Sequence, residues 1–224
     1  MTSHLEIGAV GWRHDRWVDT FYPDSLPDDW RLTFYSNEFR CLLVPDREWS
    51  EAPPTRLAAW AEDVHEQFVF YLELRSGRRA NEAVEALSRT EPIARRVGGV
   101  VVRAADRAGP VPESLATLRE TCGLRYPLHL DWPGELAPAQ RGALEQLDVM
   151  TCWRAAGTEP RRGCRIGLLA PGEVPPERRA LRSRIEAFLS QAGESGELIV
   201  FFEGDPPNVQ AMRDVQVITG LLGG

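Results

Sequence analysis

His14 is followed directly by Asp15, and His129 stands two residues before Asp131, so two imidazoles each have a carboxylate close by in the chain. An imidazole beside a carboxylate can hold, give or take a proton near neutral pH, which makes His14, His129 and Asp131 the expected catalytic residues. The same groups could bind a divalent metal, but no His-x-His or HExxH spacing is present and no metal is expected. The competing reading has each histidine merely hydrogen-bonding a loop carbonyl on opposite sides of a wide site. Arg13, Arg16, Arg103 and Arg165 form a second set. A guanidinium fork binds phosphate or carboxylate through two parallel N–H bonds, so these arginines point to a small anionic ligand. Each could equally pair with Asp46, Glu73 or Asp131. Trp12, Trp17, Trp132 and Trp153 offer flat faces for stacking a sugar or a base. Trp12 and Trp17, with Phe21 and Tyr22 nearby, can instead pack as core. Glu73 and Glu203 complete the polar candidates.

Composition removes several chemistries. All 26 residues of the Lys+Arg class are arginine, so Schiff-base catalysis, a lysine general base and the lysine of a P-loop are excluded. Against them stand 33 acidic residues, a net charge of −7, and no nucleic-acid partner is expected. Cys41, Cys122, Cys152 and Cys164 form no CxxC pair, which indicates reduced, buried thiols rather than a zinc ribbon or a disulfide framework. Neither cysteine in an apolar strand, Cys41 or Cys152, has a histidine near it in sequence to act as base, and no Gly-x-Ser-x-Gly elbow exists. No stretch reaches the roughly 18 apolar residues of a membrane span, and the N-terminus does not read as a signal peptide. The expectation is a soluble, cytoplasmic protein with no membrane partner.

The elements that must position these residues are legible as alternating runs. Short apolar segments read as buried strands: Leu5–Val10, Phe39–Val44, Phe68–Leu74, Gly98–Arg103, Tyr126–Leu130, Val149–Trp153, Arg165–Leu169 and Leu198–Phe202. Helical period occupies Thr55–Glu66, Asn81–Val97, Glu113–Cys122, Pro138–Leu147, Pro175–Ala192 and Asn208–Leu222. Strand and helix in alternation imply a parallel sheet with helices outside it, and about eight repeats in 224 residues suit an α/β fold of the TIM-type (β/α)8 barrel. The Pro-rich joints at Glu51–Thr55, Gly109–Glu113 and Gly172–Glu177 are short enough to be loops of one domain spanning 1–224. A doubly wound sheet is disfavoured because Gly8 and Gly11 do not make a GxGxxG. In a barrel, sites form at the carboxyl ends of the strands, where the candidates above are expected to gather.

The first strand and its loop read Ile7-Gly8-Ala9-Val10-Gly11-Trp12, then Trp17, Phe21-Tyr22-Pro23, Leu32, Tyr35, Phe39 and Trp60 ahead of Phe68-Val69-Phe70. This pattern resembles the DUF72, or YecE-like, family over about the first third of the chain, and Val200-Phe201-Phe202 resembles that family's last aromatic strand. The resemblance implies a TIM-type barrel of largely unassigned activity. It also implies departures. Where relatives carry a Glu-x-Asn-x-Thr-Phe-Tyr stretch, this chain has Cys41 to Trp49; the usual lysine of the third strand is Glu73; the Glu-x-Arg-His of the fifth is His129-Leu130-Asp131-Trp132. Of the Arg-x-His-Gly of the seventh only Arg165 remains, and the Phe-Asn-Asn of the last is Phe202-Glu203-Gly204.

Two functions follow. The chain binds a small anionic, phosphate- or carboxylate-bearing ligand at the carboxyl ends of its strands, through Trp12, Arg13, Arg16, Glu73, Arg103, Trp132, Arg165 and Glu203. Alternatively it is a catalytically inactive barrel serving as a protein-binding or scaffold module. No motif names a cofactor or a protein partner.

Overall fold

The computed structural model describes residues 4–75, 78–104, 112–121, 125–132, 134–155, 163–192 and 197–222. Cys122, the start of the Gly109–Glu113 joint and the terminal Gly223-Gly224 lie outside them. Along the chain come β1 (Leu5–Val10), α1 (Arg31–Glu38), β2 (Cys41–Val44), α2 (Asp46–Ser50), α3 (Pro54–Asp63), β3 (Val69–Arg75), α4 (Ala80–Ser88), β4 (Val97–Arg103) and α5 (Pro112–Thr121). Then follow β5 (Leu128–Asp131), α6 (Pro138–Gln146), β6 (Val149–Thr151), β7 (Trp153–Arg154), β8 (Ile166–Leu169), α7 (Arg178–Gln191), β9 (Leu198–Phe202) and α8 (Val209–Leu222). The chain forms two compact units, one from Met1–Leu43 with Cys152–Gly224, the other from Val44–Thr151.

In the first unit the strands run β2-β1-β9-β8-β7, and every ladder is parallel. Its central strand, Leu198-Ile199-Val200-Phe201-Phe202, is buried at every position, as a parallel strand covered on both faces must be. Leu181, Ile185 and Phe188 of α7, and Met212 and Val215 of α8, recur at helical spacing and form the buried stripes. Between β1 and β2 the Tyr35 hydroxyl accepts from the Ala9 amide at 2.8 Å and donates to the Cys41 carbonyl at 3.0 Å. Burial raises the pKa of both the Tyr35 hydroxyl and the Cys41 thiol well above their ordinary values, so both stay neutral. Gly8 has to lack a side chain here: a Cβ would fall 2.5 Å from the Cys41 carbonyl oxygen. Tyr35→Phe strands a buried donor and acceptor together and is expected to destabilise the protein by about 1–3 kcal/mol, read as a lower urea midpoint at unchanged slope.

In the second unit the order is β3-β4-β5-β6, again parallel throughout. Phe70, Leu72 and Leu74 of β3, Val100 and Val102 of β4, and Leu128 and Leu130 of β5 alternate with the polar residues described below, so one face of these strands is apolar. Trp60 and Leu57 on α3, and Ala83, Ala86 and Leu87 on α4, supply buried helical stripes in this unit.

Three expected elements change. The helix Asn81–Val97 ends at Ser88 and resumes as a short 3-10 turn over Glu91–Arg96. Pro92 has no N–H to continue the α-helical ladder. The helix expected from Pro175 begins at Arg178, after the second proline; Pro176 disfavours the α conformation at the residue before it. The strand Val149–Trp153 divides at Cys152: β6 pairs with β5, while β7 pairs with β8. Two helices, α1 and α2, have too few apolar positions to show a period, and the sequence does not announce them.

Candidate functional site

Four of the expected residues meet on one face of the second unit. The register aligns Glu73 with Val101 and His129, and, one row nearer the carboxyl ends, Arg75 with Arg103 and Asp131. Because side chains alternate, Glu73, Arg75, Arg103, His129 and Asp131 all leave the same face, opposite the apolar one. Arg103 sits between two acids. Its Nε lies 3.0 Å from Glu73 Oε2, and its Nη1 donates to Asp131 Oδ2 at 3.4 Å. The side chains of Glu73 and Asp131 are 7% and 9% exposed, and that of Arg103 is 19% exposed. Backbone glycines make room below. A Cβ on Gly99 would come 3.2 Å from the His129 ring, and one on Gly98 would come 2.6 Å from the ring of Tyr71, which meets His129 edge-on.

The loops after β2 and β3 add a second group. Asp46 is buried and accepts from Arg78 Nη2 at 2.8 Å and from the Arg75 amide at 3.2 Å; the same Arg78 nitrogen donates to Ser50 Oγ at 2.8 Å. The Trp49 indole donates to the Glu73 carbonyl at 2.7 Å and anchors α2 to β3. Arg75 differs from its neighbours in exposure. Its Nε contacts Glu73 Oε1 at 3.3 Å, yet 64% of the side chain is open to solvent, and its Nη atoms bond to nothing among the described residues. Sequence reasoning missed Arg78 and Ser50, whose partner Asp46 stands at the far end of a strand and two helices. Asp46 itself was visible as an acid just past a strand.

The remaining candidates, Trp132 apart, lie in the first unit. The His14 Nε2 lies 3.0 Å from the Val10 oxygen at the end of β1, and its Nδ1 3.3 Å from Asp205 Oδ1. The expected catalytic set thus sorts into two networks, His14 with Asp205, and His129 with Tyr71 on the face that carries Asp131 and Arg103. Glu203, past the end of β9, is gripped by Arg154 through two bonds of 2.7 and 3.1 Å. Arg16 donates to the Asp205 carbonyl at 3.3 Å, and the Arg13 guanidinium lies 5.0 Å from the Trp12 ring centre.

Four expected placements are corrected. Arg165 immediately precedes β8 and so stands at the amino end of that strand, away from the carboxyl ends, because it opens the apolar run rather than closing it. Trp12 is buried, so its ring is packed rather than offered for stacking. Trp132 and Trp153 are buried as well; the first donates to the Glu135 carbonyl at 3.3 Å and the second packs on Phe188. Large rings gain more from burial than from a wet face, which is the physical reason for all three tryptophans. Among the described residues no three His, Cys, Asp or Glu side chains gather as a metal site, and no helix is long and apolar enough to cross a membrane.

The family model described as "Protein of unknown function DUF72" matches residues 6–136, more than half of the chain. The chain belongs to the DUF72 family. The match runs well past the aromatic signature and takes in the polar face of β3 to β5. Among solved structures, a DUF72 family protein from Thermotoga maritima is 15% identical, with a TM-score of 0.67 over 96% of this chain and 99% of that one. One from Enterococcus faecalis is 14% identical, with a TM-score of 0.68 over 99% and 98%. A D-psicose 3-epimerase structure determined in the presence of D-fructose is 11% identical, with a TM-score of 0.61 over 98% and 100%. At such identities the likeness is one of fold, and the fold of this DUF72 protein is the α/β TIM type. No curated protein matches the chain in sequence.

Proposed function

We propose that this DUF72 protein binds a small ligand carrying a phosphate or carboxylate at the carboxyl ends of β3, β4 and β5. The observation that carries the reading is Arg75, whose inner nitrogen is held by Glu73 while its outer fork faces solvent. A fork already oriented by a carboxylate loses less entropy on closing over an anion than a loose surface arginine does. The buried Glu73–Arg103–Asp131 trio beneath it also favours a site, since buried ion networks are poor sources of stability and cluster where proteins bind or react. His129 and Asp131, the expected proton-transfer residues, leave the same face. Arg75 and Arg103 replace Arg13, Arg16 and Arg165 as the anion-holding set.

Thermal denaturation against inorganic phosphate, citrate and sugar phosphates tests this. A ligand at 100 times its dissociation constant adds about 2.7 kcal/mol, which raises the midpoint by about 5–10 °C for a chain of this size. The rise is expected to vanish in Arg75→Ala and to persist in Arg165→Ala. A saturable rise that survives Arg75→Ala, or no rise with any of these anions, overturns the reading.

A further inference from the structure

We infer that Asp46 is a positioning residue for the anion site, one that holds the Arg75 fork in place without touching the ligand. This rests on the site proposed above and deepens it. Arg75 is the last residue of β3, yet it is tied at its amide, its carbonyl and its side chain. The amide donates to Asp46 Oδ2 at 3.2 Å, the carbonyl accepts from the Arg78 amide at 3.2 Å, and Nε lies 3.3 Å from Glu73 Oε1. The two backbone bonds fix the direction in which the side chain leaves the strand, and the Glu73 contact fixes its far end. Only the outer nitrogens are left, among the described residues, for a ligand. A long side chain frozen before the ligand arrives does not have to lose its rotamer freedom on binding.

Asp46 governs both backbone ties. Its Oδ1 accepts from Arg78 Nη2 at 2.8 Å, so the carboxylate that takes the Arg75 amide also holds the residue whose own amide closes on the Arg75 carbonyl. An aspartate that opens a helix commonly caps that helix's free amides. Both Asp46 oxygens bond instead to residues well beyond α2. The helix that carries them is itself anchored: the Trp49 indole donates to the Glu73 carbonyl at 2.7 Å, Ser50 Oγ accepts from the same Arg78 nitrogen at 2.8 Å, and Arg89 Nη2 donates to the Ser50 carbonyl at 2.9 Å. Asp46, Trp49 and Ser50 are all buried, which makes the carboxylate a fixed reference for the end of β3. The sign of the effect separates this role from simple electrostatics. By charge alone, removing an acid beside an anion site tightens binding. Removing a positioning residue weakens it.

Isothermal titration of the intact protein with inorganic phosphate, citrate and sugar phosphates, repeated on Asp46→Asn, which keeps the shape and removes the charge, tests the inference. The dissociation constant is expected to rise about two- to tenfold in the variant, the scale of immobilising one long side chain. Nuclear magnetic relaxation without ligand gives the second readout. The Arg75 Nε–H resonance, assigned by its loss in Arg75→Lys, is expected to report an ordered side chain in the parent and an order parameter below about 0.6 in Asp46→Asn. Arg78→Lys keeps the charge but not the planar fork; it is expected to move both readouts the same way and serves should Asp46→Asn fail to fold. A dissociation constant unchanged or lowered in the variant that folds, or an Arg75 resonance as ordered there as in the parent, overturns the positioning role and leaves the anion site standing. No binding to the parent that is lost in Arg75→Ala overturns both.

Discussion

Replacing Arg103 with methionine is expected to destabilise the protein by about 3–5 kcal/mol, because it leaves the Glu73 and Asp131 carboxylates buried and without the guanidinium between them. Methionine preserves much of the volume, so the loss measures charge rather than packing. The triple variant Glu73→Leu, Arg103→Met, Asp131→Leu is expected to recover most of that stability or exceed the parent, since a buried ion trio rarely outperforms apolar groups of similar size. Urea unfolding of the parent, the single and the triple variant decides between the two roles of the trio. A single-variant loss below about 1 kcal/mol would show that water reaches these carboxylates and that the layer is an exposed ion cluster. Recovery in the triple variant together with loss of ligand binding would show that the trio serves the site and not the fold.

Trp17→Ala is expected to cost about 3–5 kcal/mol. The indole is buried, donates to the Pro207 carbonyl at 3.0 Å, and packs edge-on against His14, Phe21 and Tyr22 at 4.6–5.7 Å between ring centres. The Trp17 carbonyl meanwhile accepts from the Phe21 and Tyr22 amides at 2.8 Å each, so the ring and its own backbone pin one loop to the segment that follows β9. Truncation opens a cavity at a point where both loops are already tied, which limits how far the site can collapse. Trp17→Phe refills part of the volume but leaves the Pro207 oxygen without its donor, and it should fall between the parent and alanine. Equal urea midpoints for the parent and Trp17→Ala would mean that the aromatic signature of the first loop has no packing role and is kept for something else.

These expectations separate what the chain reveals locally from what it does not. The limits of β1, Leu5–Val10, and β9, Leu198–Phe202, are those of the apolar runs; β9 is apolar at every position because it is covered on both faces, and β1 departs only at Glu6. Glu73, Arg103, His129 and Asp131 were visible for the complementary reason: a charged or titratable side chain inside such a run has to face something other than the core. Arg165 stands at the wrong end for a carboxyl-end site because it opens its apolar run, and the first residue of a strand lies at the amino end. Arg78 carried no local signal, being one loop arginine among many.

The sequence by itself determined the alternation of strand and helix, the α/β class, the exclusion of lysine chemistry and the pool of charged strand-end residues. Each of these depends on residue type or on periodicity over a few neighbours, and so survives without knowledge of distant contacts. Only the tertiary structure decided which members of that pool are partners. Strand register put Arg103 between Glu73 and Asp131, and the tertiary fold set His14 beside Asp205, matched Arg154 to Glu203, and left the outer fork of Arg75 open. Whether an arginine is neutralised or available depends on atoms brought within about 3–4 Å by residues far apart in the chain, because Coulomb and hydrogen-bond energies fall off over that range while sequence separation does not enter them.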